Sequence, residues 1–255
     1  MISFRSGNPA LRSKTFKMDK AVGQEVMTLE GTVNKTTISL SILLITAFYS
    51  YTNTISSLAA SGVANTGYML GGFIGGFIVA LATIFKKEWS PYTVPLYAAL
   101  EGLALGGVSA IFNEQYYDGI AGQAILLTVG IFTALLFAYK SRIIQPNENF
   151  KLGIFAATAG IGIAYLINFI MRFWGSGLSV MNIDNASPMS IGFSVVVIII
   201  ASLNLVLDFD FIEQGSEAGI PKYMEWYGAF GLLVTLIWLY LEILRLLAKL
   251  QSRRN

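Results

Sequence analysis

Three acidic residues lie within long apolar runs of the sequence, where an ionised carboxylate is costly. Glu101, Asp208 and Glu242 are each surrounded by Leu, Ile, Ala, Val or Tyr. An acid at the centre of a membrane-spanning helix costs about 2.5–3.5 kcal/mol on insertion scales, and such acids usually face a water-filled path or a partner. These carboxylates are therefore the first candidates for chemistry, either binding protons or serving as oxygen ligands for a hard cation.

Two residue types are missing from the sequence, and their absence excludes much other chemistry. The 255 residues include no Cys and no His. This excludes a disulfide, a Cys or His zinc site, a haem held by Cys or His, and a His-activated nucleophile. A pH response near neutrality must then come from a carboxylate or the amino terminus. We therefore expect no enzyme activity and no resident cofactor, only a transiently bound hard cation. We also expect no nucleic-acid partner, since the net charge is only +2.

The elements that position these acids are predicted to be membrane-spanning helices. The chain is 55% hydrophobic and 13% charged, which is too few charges for a soluble domain. A helix needs about 20 apolar residues to cross a bilayer, and we identify seven candidate runs: 35–54, 66–85, 91–112, 120–140, 150–171, 189–210 and 225–248. We predict an all-α integral membrane protein with one seven-helix domain at 33–250. A basic cytosolic tail at 1–32 precedes it, and a basic tail at 251–255 follows.

The distribution of Lys and Arg predicts the orientation, because cytosolic loops carry an excess of both. The side that holds the N-terminus has 12 of them, and the other side has 4. The larger set is Arg5, Arg12, Lys14, Lys17, Lys20, Lys35, Lys86, Lys87, Lys140, Arg142, Lys151 and Lys222, and the smaller set is Arg172, Lys249, Arg253 and Arg254. A cytosolic N-terminus follows. Seven crossings then place the basic C-terminus outside, so a last segment that does not cross simply stays an alternative.

Helical spacing places the acids of the sixth run on different faces of the helix. Asn204 and Asp208 are four residues apart and share a face, whereas Asp210 lies about 200° round the helix from Asp208. We expect Asn204 and Asp208 to face inward, with the Asn204 amide hydrogen-bonded to the protonated Asp208. Asp210, Glu213 and Gln214 are assigned to the cytosolic end. The alternative is that Asp208 is a boundary acid that reaches water.

The other two buried acids each have a structural alternative. Glu242 precedes Arg245 by three residues, a spacing at which a helical ion pair forms. This pair either hides both charges from lipid, or keeps Glu242 ionised until another group competes. Glu101 follows Tyr97 by one turn, and its alternative role is a protonated acid hydrogen-bonded to a neighbouring helix.

Small residues four apart form stripes that let two helices approach closely, and packing is their expected role. The stripes are Gly71, Gly72, Gly75 and Gly76 in the second run, Gly102 and Gly106 in the third, and Gly160 and Ala164 in the fifth.

Three sequence segments carry a family resemblance. They are Leu-Asp-Phe-Asp-Phe-Ile-Glu at 207–213, Leu-Tyr-Leu-Glu-Ile-Leu-Arg-Leu-Leu at 239–247, and Arg-Ser-Gly-Asn-Pro-Ala-Leu-Arg at 5–12. Together they resemble the Bax inhibitor-1 family of seven-span proteins, in a bacterial branch. The resemblance implies a last helix packed centrally, a bacterial cytoplasmic membrane, and a pH-sensitive calcium leak. It also implies that an acid late in span six and one in span seven share a gating proton, which corresponds to Asp208 and Glu242.

The resemblance predicts a gate in which a buried carboxylate pair also supplies the calcium ligands. Two carboxylates in a low-dielectric site cannot both ionise easily, so they hold one proton between them. Loss of this proton at higher pH leaves repulsion and a hard-cation site, so the leak should increase with pH.

Two features of this sequence depart from the family pattern. Asp208 and Glu242 are 34 residues apart, and a chain reversal near Pro221 leaves their levels mismatched by ~12 Å. Glu225 is therefore an alternative partner for Asp208. The second run also lacks the charged residue that family members can carry there, a role that Glu101 could take.

Three other functions compete with the leak. An intramembrane aspartyl protease also needs two acids at membrane depth, but this chain lacks a Gly-x-Gly-Asp run. An interaction protein could regulate other membrane proteins, such as a quality-control protease, through its basic tail. A proton-coupled transporter should show an internal repeat, and we find no clear one. The expected partners are membrane lipid, calcium and protons, with other membrane proteins under the second alternative.

Overall fold

Seven long helices account for most of the chain in the computed structural model, which describes residues 25–253. They are α1 (Leu29–Ser61), α2 (Gly67–Phe85), α3 (Ser90–Gln115), α4 (Ile120–Lys140), α5 (Glu148–Phe173), α6 (Pro188–Glu217) and α7 (Met224–Ser252). Every one is long and apolar enough to cross a membrane. Within the described range, strand-like pairing is limited to one isolated bridge between Val26 and Pro221. The prediction of an all-α, multi-pass membrane protein is confirmed.

The helix ends follow from local side-chain chemistry. The Thr28 hydroxyl accepts from the Gly31 N–H and begins α1, and Gly62 ends it in a left-handed conformation with φ 69°. Asn147 caps α5 in the same way as Thr28 caps α1. α6 begins at Pro188, where the Ser187 hydroxyl accepts from the Ser190 N–H at 3.3 Å. These caps fix where each span enters and leaves the helical conformation.

Five helices extend beyond the predicted runs, and α1 and α6 do so by the most. α1 begins at Leu29, so residues 29–32 are helical and do not belong to a tail. α6 continues to Glu217, because Phe211 and Ile212 are buried and extend its apolar face beyond Asp210. Residues 1–24, which include most of the predicted cytosolic tail, lie outside the described residues.

The described residues divide into two compact bodies. The first body comprises residues 116–210 and 235–253, and it contains α4, α5, most of α6 and the C-terminal part of α7. The second comprises residues 25–115 and 211–234, and it contains α1, α2, α3, the end of α6 and the start of α7. α6 and α7 each contribute residues to both bodies.

Close helix contacts in the second body depend on glycines of α2 and α3. A Cβ at Gly72 would lie 2.5 Å from the Leu100 carbonyl oxygen of α3, and one at Gly106 would overlap the Ala47 carbonyl of α1. The packing role predicted for these stripes is confirmed at Gly72, Gly76, Gly102 and Gly106. It is wrong at Gly71 of α2 and at Gly160 of α5, where a Cβ would meet nothing within 4 Å.

The last helix is the most buried of the seven. In its most apolar stretch 61% of α7 is buried, compared with 6% for α5. In the second body, the Phe230 ring of α7 packs edge-on to Tyr97 of α3. In the first body, its later residues contact α5 and α6. This burial agrees with the expectation that the last helix is packed among the others.

Candidate functional site

A line of buried polar residues runs along facing sides of α6 and α7 in the first body. On α7 they recur every seven residues, and on α6 their spacings of four, ten and four also keep them on one face. We call this set the polar stripe; its members are Thr235, Glu242 and Lys249 of α7 and Ser190, Ser194, Asn204 and Asp208 of α6, all buried. From Thr235 to Lys249 the stripe extends ~21 Å along α7.

Asp208 is fully buried at one end of the stripe. The Thr235 hydroxyl donates a 2.6 Å hydrogen bond to its Oδ2 atom. A buried carboxylate without a donor would carry a desolvation penalty of about 1–3 kcal/mol or more. Thr235 therefore stabilises Asp208 and also links α6 to α7.

Asn204 is buried as predicted, but its partners differ from those expected. Its side-chain N–H groups donate to the Thr158 hydroxyl of α5 and to the Ile200 carbonyl, both at 2.8 Å. Its Oδ1 atom is buried and has no hydrogen-bond partner among the described residues. The predicted hydrogen bond from Asn204 to Asp208 is therefore wrong, because α5 and the preceding helical turn provide competing acceptors.

Glu242 forms a three-residue cluster with Tyr165 of α5 and Arg245 of α7. The Tyr165 hydroxyl and an Arg245 N–H each donate to Glu242 Oε1 at 2.5 Å, and Arg245 also donates to Tyr165 at 3.0 Å. The guanidinium lies over the Tyr165 ring, 5.6 Å from its centroid. The predicted helical ion pair is present, and Tyr165 is a partner that the sequence did not indicate.

The predicted Asp208–Glu242 pair does not form in this structure. Glu242 Oε1 is bound to Tyr165 and Arg245, and its buried Oε2 has no partner in the part of the chain described. Glu242 follows Thr235, the partner of Asp208, by seven residues, which is roughly 10 Å along α7. This offset agrees with the mismatch expected from the sequence, and it separates the two carboxylates along α7.

Lys249 occupies the opposite end of the stripe, and sequence reasoning treated it only as a loop charge. Its side chain is fully buried, and its Nζ donates to the Val180 carbonyl at 2.9 Å, the Ser190 carbonyl at 3.2 Å and the Ser194 hydroxyl at 2.9 Å. The heptad spacing from Thr235 through Glu242 to Lys249 was the signal that could have identified it.

Asp210 points away from the stripe, as the helical spacing predicts. Its carboxylate pairs with the nearly buried Lys151 of α5 at 2.7 Å, and Lys151 also lies 3.5 Å from Glu148. Glu213 is half-buried near the end of α6, in the second body. These acids are structural ion partners or lie at a helix end, so they do not extend the polar stripe.

Glu225 caps a helix in the second body. Its buried Oε1 accepts from the Thr28 N–H at 3.1 Å and from the Thr28 hydroxyl at 2.9 Å. A carboxylate is favourable at this position, because the first N–H groups of α1 carry partial positive charge. A Cβ at Gly31 would overlap the same carboxylate. Glu225 therefore already has a structural role, whereas it was predicted as an alternative partner for Asp208.

Glu101 is also in the second body. It is nearly buried on α3, and a Cβ at Gly76 of α2 would lie 2.8 Å from its Oε1 atom. Among residues 25–253 the structure gives its carboxylate no hydrogen bond, so the alternative role as an acid bonded to a neighbouring helix has no support.

The acids do not assemble into a metal site of conventional composition. No group of three or more Asp or Glu residues that could hold an ion occurs in the described part of the chain. Asp208 and Glu242, the two predicted calcium ligands, would have to act at separate levels of the stripe.

The comparisons with known proteins agree with the architecture. The sequence model of the family described as "Bax inhibitor 1 like" matches residues 8–252. No match was found among curated proteins. Because the family match covers almost the whole chain and the seven spans fit it, this chain belongs to the Bax inhibitor 1 like family.

Proposed function

We propose that this protein is a pH-sensitive calcium leak of a bacterial cytoplasmic membrane, with Asp208 as the gating acid and with no enzymatic activity. The observation that supports this proposal is the fully buried Asp208 carboxylate, bonded across to Thr235 of the neighbouring helix. A buried ionisable residue within a span is by default a functional candidate, because its burial is costly.

The gate works through the charge of a single acid. Protonated Asp208 is neutral and fits a dry contact between α6 and α7. Ionised Asp208 needs water or a cation, since burial removes the hydration on which a charged carboxylate depends. Rising pH therefore favours entry of water and cations along the polar stripe. A leak that increases with pH is the expected consequence.

Glu242 contributes in a different way from the pairing predicted from the sequence. Arg245 compensates its charge, and its free Oε2 faces a buried environment. This oxygen is a cation ligand available roughly 10 Å along α7 from the level of Asp208. A permeating ion would then meet the two acids in sequence.

Calcium flux into liposomes that contain the purified protein tests this proposal. Flux measured between about pH 5 and about pH 9, a range that carboxylates with altered environments can sense, should rise with pH. Protein-free liposomes provide the control. No calcium flux at any pH in this range would contradict the leak function.

One observation favours a second function, the regulation of other membrane proteins through the N-terminal segment. The Met27 N–H donates to the Ile220 carbonyl at 2.8 Å, and the Lys222 N–H donates to the Glu25 carbonyl at 3.0 Å. These bonds hold Glu25 and Met27, which lie just before α1, against the loop between α6 and α7. If deletion of residues 1–24 abolishes the cellular phenotype while Asp208→Asn preserves it, this second function replaces the first.

A further inference from the structure

We propose that the Lys249 ammonium is a tethered cation that fills an oxygen-lined cation site and thereby closes one end of the polar stripe. The blocking role rests on the proposed leak, whereas the cation site itself does not. The site takes a monovalent cation of the ammonium or alkali-metal class when the lysine is removed.

The three ligands of the ammonium are all neutral oxygens. Two are the carbonyls of Val180 and Ser190, and the third is the Ser194 hydroxyl, at 2.9, 3.2 and 2.9 Å from Nζ. An ammonium has three N–H donors and no acceptor, so three oxygens satisfy it completely. The lysine forms no ion pair with any carboxylate of residues 25–253, and Glu242, one heptad away, is bound to Arg245.

The oxygen site is built independently of the lysine. The Ser190 hydroxyl donates to the Val180 carbonyl at 2.9 Å, which holds the turn Ser179–Met181 against the start of α6. The Asn185 amide donates to the carbonyl and the hydroxyl of Ser179, which fixes the other side of the same turn. Loss of the Lys249 side chain would therefore leave the Val180, Ser190 and Ser194 oxygens close together, each with one donor fewer.

The chemistry of the site selects its ligand class. Carbonyl and hydroxyl oxygens are the groups that hard cations accept as ligands. Without a carboxylate, the site cannot compensate a double charge, so a single positive charge fits it best. A tethered ammonium also binds without the loss of translational freedom that a free ion would pay.

The position of the site explains its effect on permeation. It lies fourteen residues beyond Thr235, at the C-terminal end of α7, which is ~21 Å from the level of Asp208. A fixed positive charge in a dry environment repels another cation strongly. A cation that passes Asp208 and Glu242 would meet this charge, so the lysine keeps the leak small.

Chemical rescue in detergent tests the cation site without any flux measurement. We expect Lys249→Ala to lower the melting temperature by about 5 °C, because three buried oxygens each lose one charged donor. Methylammonium chloride should recover most of this loss, whereas tetramethylammonium chloride at equal ionic strength should not, because its four methyl groups prevent direct contact between its charge and the oxygens. Arg253→Ala, an exposed cation of the same terminus, should respond equally to both salts. Equal effects of both salts on Lys249→Ala would overturn the proposed site.

Two matched serine variants test the same site if Lys249→Ala does not fold. Ser194→Ala removes one ligand of the ammonium, and Ser202→Ala removes a hydroxyl of the same helix that bonds only to the Ile198 carbonyl of its own helix. Ser194→Ala should lower the melting temperature more than Ser202→Ala. Equal losses would contradict the oxygen site.

Flux in liposomes tests the blocking role separately. Lys249→Met keeps the length of the side chain and removes its charge, and it should raise calcium flux several-fold over the wild type. If the calcium flux of Lys249→Met equals that of the wild type, the blocking role of Lys249 is overturned. Methylammonium-specific rescue without calcium flux in any variant would instead contradict the proposed leak and leave the cation site intact.

Discussion

At Asp208, a threonine hydroxyl occupies the place where a second acid was expected. Thr235 donates to Asp208, while Glu242 is bound by Tyr165 and Arg245. The two acids therefore have different partners in the first body: Asp208 is bonded to a hydroxyl, and Glu242 forms an ion pair. The single-acid gate proposed above assigns the proton response to Asp208 alone.

The Glu242–Arg245 ion pair should show unequal costs when each partner is removed. Arg245→Met leaves a carboxylate buried without its cation, and should destabilise by about 3 kcal/mol. Glu242→Gln leaves an arginine whose side chain is 28% exposed, and should cost only about 1 kcal/mol. Denaturation of both single variants and the double variant measures this difference, and the double variant should recover most of the Arg245→Met loss. The buried ion pair would be contradicted if the two single variants lost equal stability. It would also be contradicted if the loss in the double variant were the sum of the two single losses.

Glu242→Gln should also preserve the pH dependence of calcium flux. Its carboxylate shares no hydrogen bond with Asp208, so a neutral amide in its place should not alter the proton response. The midpoint of flux against pH, compared with the wild type, measures this. A flattened profile would show that the two acids meet in a state other than the one described.

Among the elements, α2 and α3 approach closely because α2 has glycines where the two helices meet, at Gly72 and Gly76. A Cβ at Gly72 would lie 2.5 Å from the Leu100 carbonyl oxygen and 2.7 Å from the Ala104 nitrogen, whereas one at the adjacent Gly71 would meet nothing within 4 Å. Backbone atoms cannot move aside as the end of a side chain can. The two glycines therefore form a matched pair in one helix.

Gly72→Ala should destabilise the protein and Gly71→Ala should not. Forcing α2 away from α3 should cost about 1–3 kcal/mol, while alanine at Gly71 should be neutral or gain up to about 1 kcal/mol from helix propensity. Melting temperatures in detergent compare the two variants. The contact between α2 and α3 is contradicted if Gly71→Ala is the more harmful change.

The N-terminal segment before α1 carries an ion pair that gives a pH prediction outside the spans. Lys222 lies 2.6 Å from Glu25, and it lowers the pKa of the Glu25 carboxyl through a hydrogen bond and its charge. A lowered pKa means that the pair stabilises the folded segment above the ordinary glutamate pKa. This contribution is lost as the pH falls through the lowered value.

Lys222→Ala should therefore raise the Glu25 pKa back toward its ordinary value of 4.5. Carboxyl NMR titration of Glu25 in the two proteins measures the shift. Because both groups are exposed, salt should reduce the difference. The ion pair would be refuted if the Glu25 pKa were the same in both proteins at low salt.

For the whole molecule, burial of Lys249 weakens the main objection to seven crossings, which is the basic C-terminus. Sequence counting placed Lys249 with Arg253 and Arg254 in an exposed C-terminal cluster on the side predicted to be outside. The structure instead buries Lys249 against three oxygens. A satisfied internal ammonium does not act as a loop charge, so an outside C-terminus conflicts less with the charge distribution.

Single-cysteine labelling should reflect this topology. Cysteines introduced at Ser61, Ser179 and Ser252 should react with an impermeant reagent from outside the cell. One at Ser13, which lies outside the described residues, should react only after permeabilisation. The natural chain has no Cys, so it provides an unlabelled background. Labelling at Ser252 only after permeabilisation would contradict seven crossings with a cytosolic N-terminus.

The spans were predictable from sequence because each is a long apolar run, and α4 has the predicted bounds of 120–140. The buried acids were also predictable, since few residues in such runs carry charge. Their partners were not, because Thr235 and Tyr165 are ordinary residues of apolar helices until the helices are packed. Lys249 was misjudged for a related reason: its three ligands include two backbone carbonyls, which have no sequence signature.

Calcium flux of Asp208→Asn across pH is the most direct test of the single-acid gate. The amide resembles the protonated acid in shape and cannot ionise, so flux should stay low and independent of pH. Glu217 is an exposed acid at the end of the same helix. Glu217→Gln should therefore keep the increase of calcium flux with pH that the wild type is expected to show. An unchanged rise in Asp208→Asn liposomes would contradict the assignment of the gate to this residue.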